Sequence, residues 1–351
     1  MIFLLVAKYE YYLLKMGFLK NFMRISNWWH YKAAPLMAFI YAKTFINEVT
    51  PYELLPSSVV FFIAVIGIAS LGHFINDLAD IKEDNMSGKE NFAAKMTFTQ
   101  KILSAVLLLF LSIAPWFYLK TNALIIILLL LQISLYIIYS FKPFRLKNRH
   151  FWGVLADAMY GHIVPALVVL AVFSYYGTHR NFFSLVNSFS TILIIWLLTK
   201  GMRNIILHQI DDRKKDKQVM VNTFVVKFGG VFSLNLINRF ILPLELIAFV
   251  ILVSLAGNTF PLFYIFLMAF LIFTIIKFSL WKIFVLPPRQ MRFKFLFFLN
   301  DFYEDWLPIV MLIYLINSNH YFVFYLMAHL LFFPKTVVNF AKDIKLLITR
   351  K

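Results

Sequence analysis

Long uncharged apolar runs alternate with short polar connections along this chain. Ile102 to Leu119, Thr121 to Phe141 and Asn181 to Thr199 each reach the roughly 18–20 residues that a helix needs to cross a bilayer. Lipid offers backbone groups no water to bond, so such runs predict helices rather than open strands. The short alternating segments of a membrane β-barrel are missing. The pattern predicts spans at about 33–50, 56–76, 102–119, 121–141, 152–175, 183–207, 238–256, 259–284 and 303–317, with a tenth from about 320 to 334. The expected fold is therefore all-α, a polytopic transmembrane helical bundle of nine or ten spans.

Composition supports the bilayer as solvent. The 351 residues are 61% hydrophobic and 15% charged, against about 45–50% apolar in soluble domains. No Gly/Ser-rich linker divides the chain. The expected organisation is a cytoplasmic or interfacial lead-in over 1–32, one membrane domain over 33–334 and a basic tail over 335–351. Lys8 and Glu10 interrupt the apolar patch of the lead-in, and it lacks a small-residue cleavage site, so it reads poorly as a signal peptide. The absence of cysteine leaves oxygen or imidazole to hold any metal.

A net charge of +17 could suggest nucleic acid, but the charges sit between the spans. Alternate connections collect them: Lys82, Lys89, Lys95 and Lys101; then Lys142, Arg145, Lys147 and Arg149; then Arg213, Lys214, Lys215, Lys217 and Lys227; then Arg289, Arg292 and Lys294. The positive-inside rule assigns these connections to the cytoplasm, with both termini on that side if a tenth span is present. The implied setting is the plasma membrane, with membrane lipids and no nucleic acid as partners.

Two acidic segments follow predicted spans. In Asn76-Asp77-Leu78-Ala79-Asp80-Ile81-Lys82-Glu83-Asp84, the positions Asn76, Asp80 and Asp84 stack three oxygen-bearing side chains on one helical face. In His208-Gln209-Ile210-Asp211-Asp212-Arg213-Lys214-Lys215-Asp216, the pair Asp212 and Asp216 repeats the spacing. Like charges so placed weaken a helix unless a cation is bound. Mg²⁺ fits, because it is a hard ion that combines one or two carboxylates with water and substrate phosphates. The alternative is a solvated acidic face neutralised by Lys82 or Lys214.

These segments resemble the UbiA-type intramembrane prenyltransferase superfamily. The first carries that family's NDxxDxxxD pattern, and Asp212 and Asp216 carry its DxxxD pattern. Thr223 and Gly229 fall where members commonly have threonine and glycine, whereas Met220 occupies a position where many have glycine. That difference predicts a differently shaped backbone in the loop. Tyr139-Ser140-Phe141-Lys142-Pro143-Phe144-Arg145-Leu146-Lys147, with Gly153, Asp157 and Pro165, looks like the family's segment between the fourth and fifth helices. Trp28-Trp29-His30-Tyr31-Lys32 and Pro35 also look family-like. The likeness covers roughly 24 to 230. It departs at Ser87-Gly88-Lys89-Glu90-Asn91, where many quinone-pathway members are Arg-Pro-rich.

The resemblance implies Mg²⁺-dependent transfer of a prenyl group from a prenyl diphosphate to an aromatic or other lipid-precursor acceptor. Asn76, Asp80 and Asp84 would hold one ion and Asp212 and Asp216 a second. Arg145, Lys147 and Lys32 would contact the diphosphate, with Asp157 and Tyr139 serving the acceptor. Arg145, Lys147 and Lys32 are each equally well explained by topology. Among the 41 phenylalanines, 17 tyrosines and 7 tryptophans some rings could shelter an allylic cation, although rings also fill membrane cores. Of the remaining polar groups in apolar runs, Glu245 is expected to pair with a neighbouring helix and Asn300 to Asp305 to play a structural or acceptor-side part. His208 could position Asp212 or close a helix end. Three rival readings remain: a membrane terpene cyclase, a transporter and a non-catalytic scaffold.

Overall fold

The structure is a computed structural model that describes residues 22–180, 183–280 and 298–349. The lead-in before 22, the basic positions Arg289, Arg292 and Lys294, and residues 281–284 of one predicted span lie outside the described residues. Among the described residues there is no β-strand.

Among the described residues, twelve helices carry the architecture: α1 (Ala34–Ile46), α2 (Pro51–Ser87), α3 (Phe98–Phe117, ending in a 3₁₀ turn), α4 (Ala123–Ser140), α5 (Phe151–Phe173), α6 (Ser188–Gln218), α7 (Phe224–Phe228), α8 (Gly230–Ala256), α9 (Leu262–Leu280), α10 (Leu307–Ser318), α11 (Val323–Phe332) and α12 (Pro334–Thr349). Among the described residues, α2, α3, α4, α5, α6 and α8 are long and apolar enough to cross a membrane. Their starts follow local chemistry. The Thr50 and Thr97 hydroxyls accept from the backbone N–H of Glu53 and Gln100, and Asn122 and Asn187 cap α4 and α6 in the same way. Gly88, at φ 69°, ends α2 in the left-handed conformation that glycine adopts without strain.

A device that hydropathy does not reveal recurs four times. Trp29–Ala33, Met159–Ile163, Ile237–Ile241 and Phe302–Trp306 are single π-helical turns, each followed two residues later by Pro35, Pro165, Pro243 or Pro308. Proline cannot donate to the ladder, and its ring crowds the carbonyl four residues back. Widening the preceding turn accommodates both defects without breaking the helix. All four turns occur in helical stretches that start at the end of the molecule carrying the acidic motifs.

The helices run alternately to and from that end. At the far end, Asn47 donates to the carbonyls of Phe173 and Tyr176, both at 3.1 Å, and Tyr325 donates to that of Pro51 at 2.6 Å. At the motif end, the Trp29 indole donates to the Phe332 carbonyl at 2.8 Å. The stretch His320–Phe332 thus returns to the motif end, where α12 turns away by 76°. Asp305 accepts from Thr336 at 2.5 Å and Asn339 at 3.3 Å and lies 3.2 Å from His30, so α12 is tied to two of the π turns. The region expected as a basic tail is therefore helical through Thr349. Apolar side chains such as Leu103, Val106, Phe110, Ile247, Val250 and Ile272 remain exposed, forming a face suited to lipid.

Candidate functional site

The first acidic motif occupies the last turns of α2, where every inward-facing carboxylate meets a cation. Arg24 lies 2.6 Å from Asp77. Arg145 reaches Asp80 at 3.1 Å and Glu83 at 2.8 Å, while Lys147 reaches Asp80 at 2.5 Å. Asp84 accepts from Asn91 at 2.9 Å and lies 3.4 Å from Lys89. Two sets that the sequence suggests separately, the α2 carboxylates and the basic loop after α4, are thus in direct contact. Burial works against the Arg145 charge, but the bonds to Glu83 and Asp80 outweigh it and hold its pKa above the ordinary arginine value.

The basic loop is fixed by close packing. A Cβ on Gly153 would fall 2.7 Å from the Leu146 carbonyl oxygen, so glycine lets the loop settle on the start of α5. His150 forms a backbone bridge with Thr223, joining this loop to the one after α6. The Thr223 hydroxyl in turn donates to Asp216 at 3.2 Å and caps α7. Asp216 is half-buried and Asp212 is exposed. At Met220 the φ of 57° is the left-handed conformation that a glycine would supply. A side chain there costs roughly 1–2 kcal/mol. We expect Met220→Gly to stabilise the detergent-solubilised chain by about 1 kcal/mol, read as a raised midpoint in thermal unfolding.

Below the motifs lies a cavity of about 450 Å³. Arg24, His73, Asn76 and Asp212 line its polar portion, while Phe61, Val65, Trp116, Leu129, Val168 and Leu197 line its apolar reach. Phe61 precedes Asn76 by fifteen residues on α2, about 22 Å at a rise of roughly 1.5 Å per residue. One wall is polar. The Tyr160 hydroxyl donates to Asp157, and its ring stands edge-on to Tyr139 and Tyr136 at centroid distances of 5.2 and 5.1 Å. Lys32 lies 3.0 Å from His162, over Gly161, where a Cβ would come within 2.9 Å of the ammonium. Lys32 therefore stands beside Asp157 and His162 and contacts neither the basic loop nor the acidic motifs directly.

Several contributors escape a motif reading. Lys200, buried on the cavity wall, lies 4.9 Å from the Tyr303 ring and 5.9 Å from that of Trp196. Tyr160 and His162 come from a π turn that hydropathy does not announce. Lys200 and Arg203 both fall inside the predicted span 183–207, where a charged side chain is itself the signal of a function or a partner. Arg203 binds Glu245 at 2.6 and 2.8 Å and Asn300 at 2.9 Å. Glu245 thus pairs across helices, as its position suggests, and Asn300 and Asp305 serve structure. His208 is exposed at the polar end of α6.

All donors expected to hold a metal are oxygens: Asn76, Asp80 and Asp84 on α2, Asp212 and Asp216 on α6. Among the described residues, no three acidic or imidazole side chains gather closely enough to hold an ion unaided. That arrangement suits Mg²⁺, which completes its shell with water and substrate phosphate.

The sequence profile of the UbiA prenyltransferase family matches residues 33–302. The chain belongs to that family. Solved UbiA-family structures share its fold. A homologue from Archaeoglobus fulgidus bound to DMAPP and Mg²⁺ superposes with a TM-score of 0.53 at 16% identity, over 91% of this chain and 98% of that one. The same organism's homologue bound to GPP and Mg²⁺ gives 0.51 at 17% identity over the same shares. A structure described in terms of digeranylgeranylglyceryl phosphate synthase in membranes gives 0.53 at 16% identity, over 85% of this chain and 97% of that one. No curated protein sequence matches significantly. The described residues are helical without a strand, and the long apolar helices mark the chain as an integral membrane protein.

Proposed function

We propose that this UbiA-family chain transfers a prenyl group from a prenyl diphosphate to an aromatic or other lipid-precursor acceptor within the membrane, with Mg²⁺ as cofactor, releasing diphosphate. One observation carries the reading: both acidic motifs and the Arg145–Lys147 loop meet over one end of a deep, largely apolar cavity. The Archaeoglobus fulgidus homologues with DMAPP or GPP and Mg²⁺ support it.

When bound, Mg²⁺ would neutralise the diphosphate and assist its departure as a leaving group. Asn76, Asp80 and Asp84 would hold one ion and Asp212 and Asp216 another. Arg145 and Lys147, which bind Asp80 here, would pivot toward the diphosphate, the guanidinium being suited to a two-oxygen grip. The apolar cavity shelters the allylic carbon from water. The Tyr136, Tyr139 and Tyr160 faces would stabilise its developing positive charge. Asp157, with its orientation fixed by Tyr160, is placed to take a proton from the acceptor, and Lys32, His162 and Lys200 complete a polar wall on which an acceptor can be oriented.

That polar wall, distinct from the diphosphate motifs, favours transfer over cyclisation, which needs no acceptor. The motif acids gather at one end of the helices, and the buried Glu245 is paired with Arg203, unlike the open midplane charges of a transporter. We assign nine spans, with α1, α9 and α10 joining the six long ones, and His320–Phe332, which returns to the motif end, as the tenth, in a membrane domain over 33–334. Residues 1–32 lead into it, and 335–351 follow it. The basic connections favour a cytoplasmic motif end, and the plasma membrane is the expected location.

The test is to supply the purified full-length chain with Mg²⁺, prenyl diphosphates and an acceptor-containing lipid extract, and to follow diphosphate and products by mass spectrometry. Mg²⁺-dependent diphosphate release with a prenylated product is expected. Cyclised hydrocarbon with no acceptor consumed would replace transfer by cyclisation. No release from any prenyl diphosphate would reject the reading.

A further inference from the structure

A second cavity, of about 320 Å³, lies beyond the first. Its lining is mostly apolar, with Leu193, Phe249, Leu252, Val253, Phe260 and Phe263 as the main walls and Lys43, Ser190 and Thr259 as polar members. Phe39, Trp196 and Leu307 line both cavities and so form the wall between them. Trp196 precedes Asp212 by sixteen residues on α6, about 24 Å below it, and Asn187, also lining the second cavity, is about 13 Å farther. The second cavity thus begins near the depth at which the first ends and continues toward the opposite end of the bundle.

The wall is unevenly held. The Trp196 ring is gripped from behind by Phe249 and Tyr303, at centroid distances of 5.7 and 4.9 Å. Phe39 is half-buried, and among the described residues its ring contact is with Trp196, edge-on at 6.5 Å. Phe39 has fewer ring contacts than Trp196, and a change of its rotamer would open one cavity to the other.

We propose that the second cavity receives the distal isoprene units of a long-chain donor, with Phe39 as a movable gate against a fixed Trp196. This rests on the prenyltransferase reading and assigns the donor as a polyprenyl diphosphate that outgrows the first cavity. Lipid is as apolar as the cavity lining, so a tail gains little transfer energy by entering. What it gains is a fixed path: the tail is threaded down the bundle, leaving the diphosphate end aligned on the motifs.

Ala42 and Ala256 line the second cavity alone, on opposite walls. Ala42→Phe and Ala256→Phe each add a ring to it, and a tail forced past such an obstruction costs roughly a factor of ten. Full-length wild-type and variant chains would be assayed with geranyl and octaprenyl diphosphate. Expected is a loss of about tenfold in kcat/KM for octaprenyl diphosphate with geranyl turnover kept, and for Phe39→Ala a shift of preference toward the longer donor. Retained geranyl turnover reports an intact fold and catalytic end; should one alanine variant lose both activities, the other decides. An unchanged octaprenyl-to-geranyl ratio in a folded variant overturns the proposal and makes the second cavity a resting place for a membrane lipid. A wild type active on geranyl but not octaprenyl diphosphate overturns it too, leaving the prenyltransferase reading intact. Inactivity on every prenyl diphosphate overturns both.

Discussion

Asp212→Ala is expected to lower Mg²⁺-dependent diphosphate release by about 10²–10³-fold, the range seen when a group stabilising transition-state charge is removed. Asp212 is the cleaner of the two motif positions to test. It is exposed, it lines the cavity, and no ion pair engages it among the described residues. Its removal should leave thermal unfolding unchanged. Asp80 is different, because Arg145 and Lys147 both depend on it. Asp80→Asn preserves shape and a hydrogen-bond acceptor while removing the charge, so a loss like that of Asp212→Ala, with an unfolding midpoint within a few degrees of wild type, would assign the defect to chemistry. Undiminished release in both variants would dismiss the acidic motifs as the catalytic end.

The largest stability effect should come from the fully buried pair between α6 and α8. Neither Arg203 nor Glu245 is accessible to solvent, and two short hydrogen bonds join them. Arg203→Ala strands a carboxylate in an apolar setting and is expected to cost about 3–5 kcal/mol. The double replacement Arg203→Met with Glu245→Leu removes both charges and should recover most of that loss. Unfolding of the single and double variants in one detergent, treated as a double-mutant cycle, checks the claim. A double variant as unstable as Arg203→Ala would mean that Asn300, not charge compensation, dominates the site.

The parts of this molecule that can be read in its sequence are those governed by local rules. Apolar runs announce the long helices, because the bilayer leaves a span no other way to satisfy its backbone. The i, i+4 carboxylates announce the motif end, because like charges at that spacing weaken a helix unless cations meet them, as Arg145, Lys147 and Lys89 do on α2. Thr223 and Gly153 are also legible, through the resemblance. Lys32 shows where such reading stops. Its basic character suggests a diphosphate contact, and no local rule says that the π turn before Pro35 sets it beside His162 and Asp157 on the cavity wall. The direction of a side chain on a widened turn depends on a proline two residues later and on which helix lies opposite. Met220 teaches the converse, since the backbone bonds that end α6, from Met220 to Lys217 and from Val221 to Asp216, hold an exposed methionine in a glycine conformation that the residue type argues against. The partition at Phe39 and Trp196 could not be foreseen either, because it arises from two helices whose separation no local pattern encodes.

At 37 residues, α2 extends for about 55 Å, well beyond the roughly 30 Å of hydrocarbon it has to cross. The surplus sets Asp80 and Asp84 beyond the apolar stretch, packed against Arg145, Lys147 and Asn91, while the apolar reach of the cavity would lie level with the lipid. Under the proposed reaction, the two products would then sort themselves by phase. The charged leaving group would be shed directly into water, and the enlarged apolar product would stay dissolved in the bilayer, so that neither has to cross the medium that excludes it.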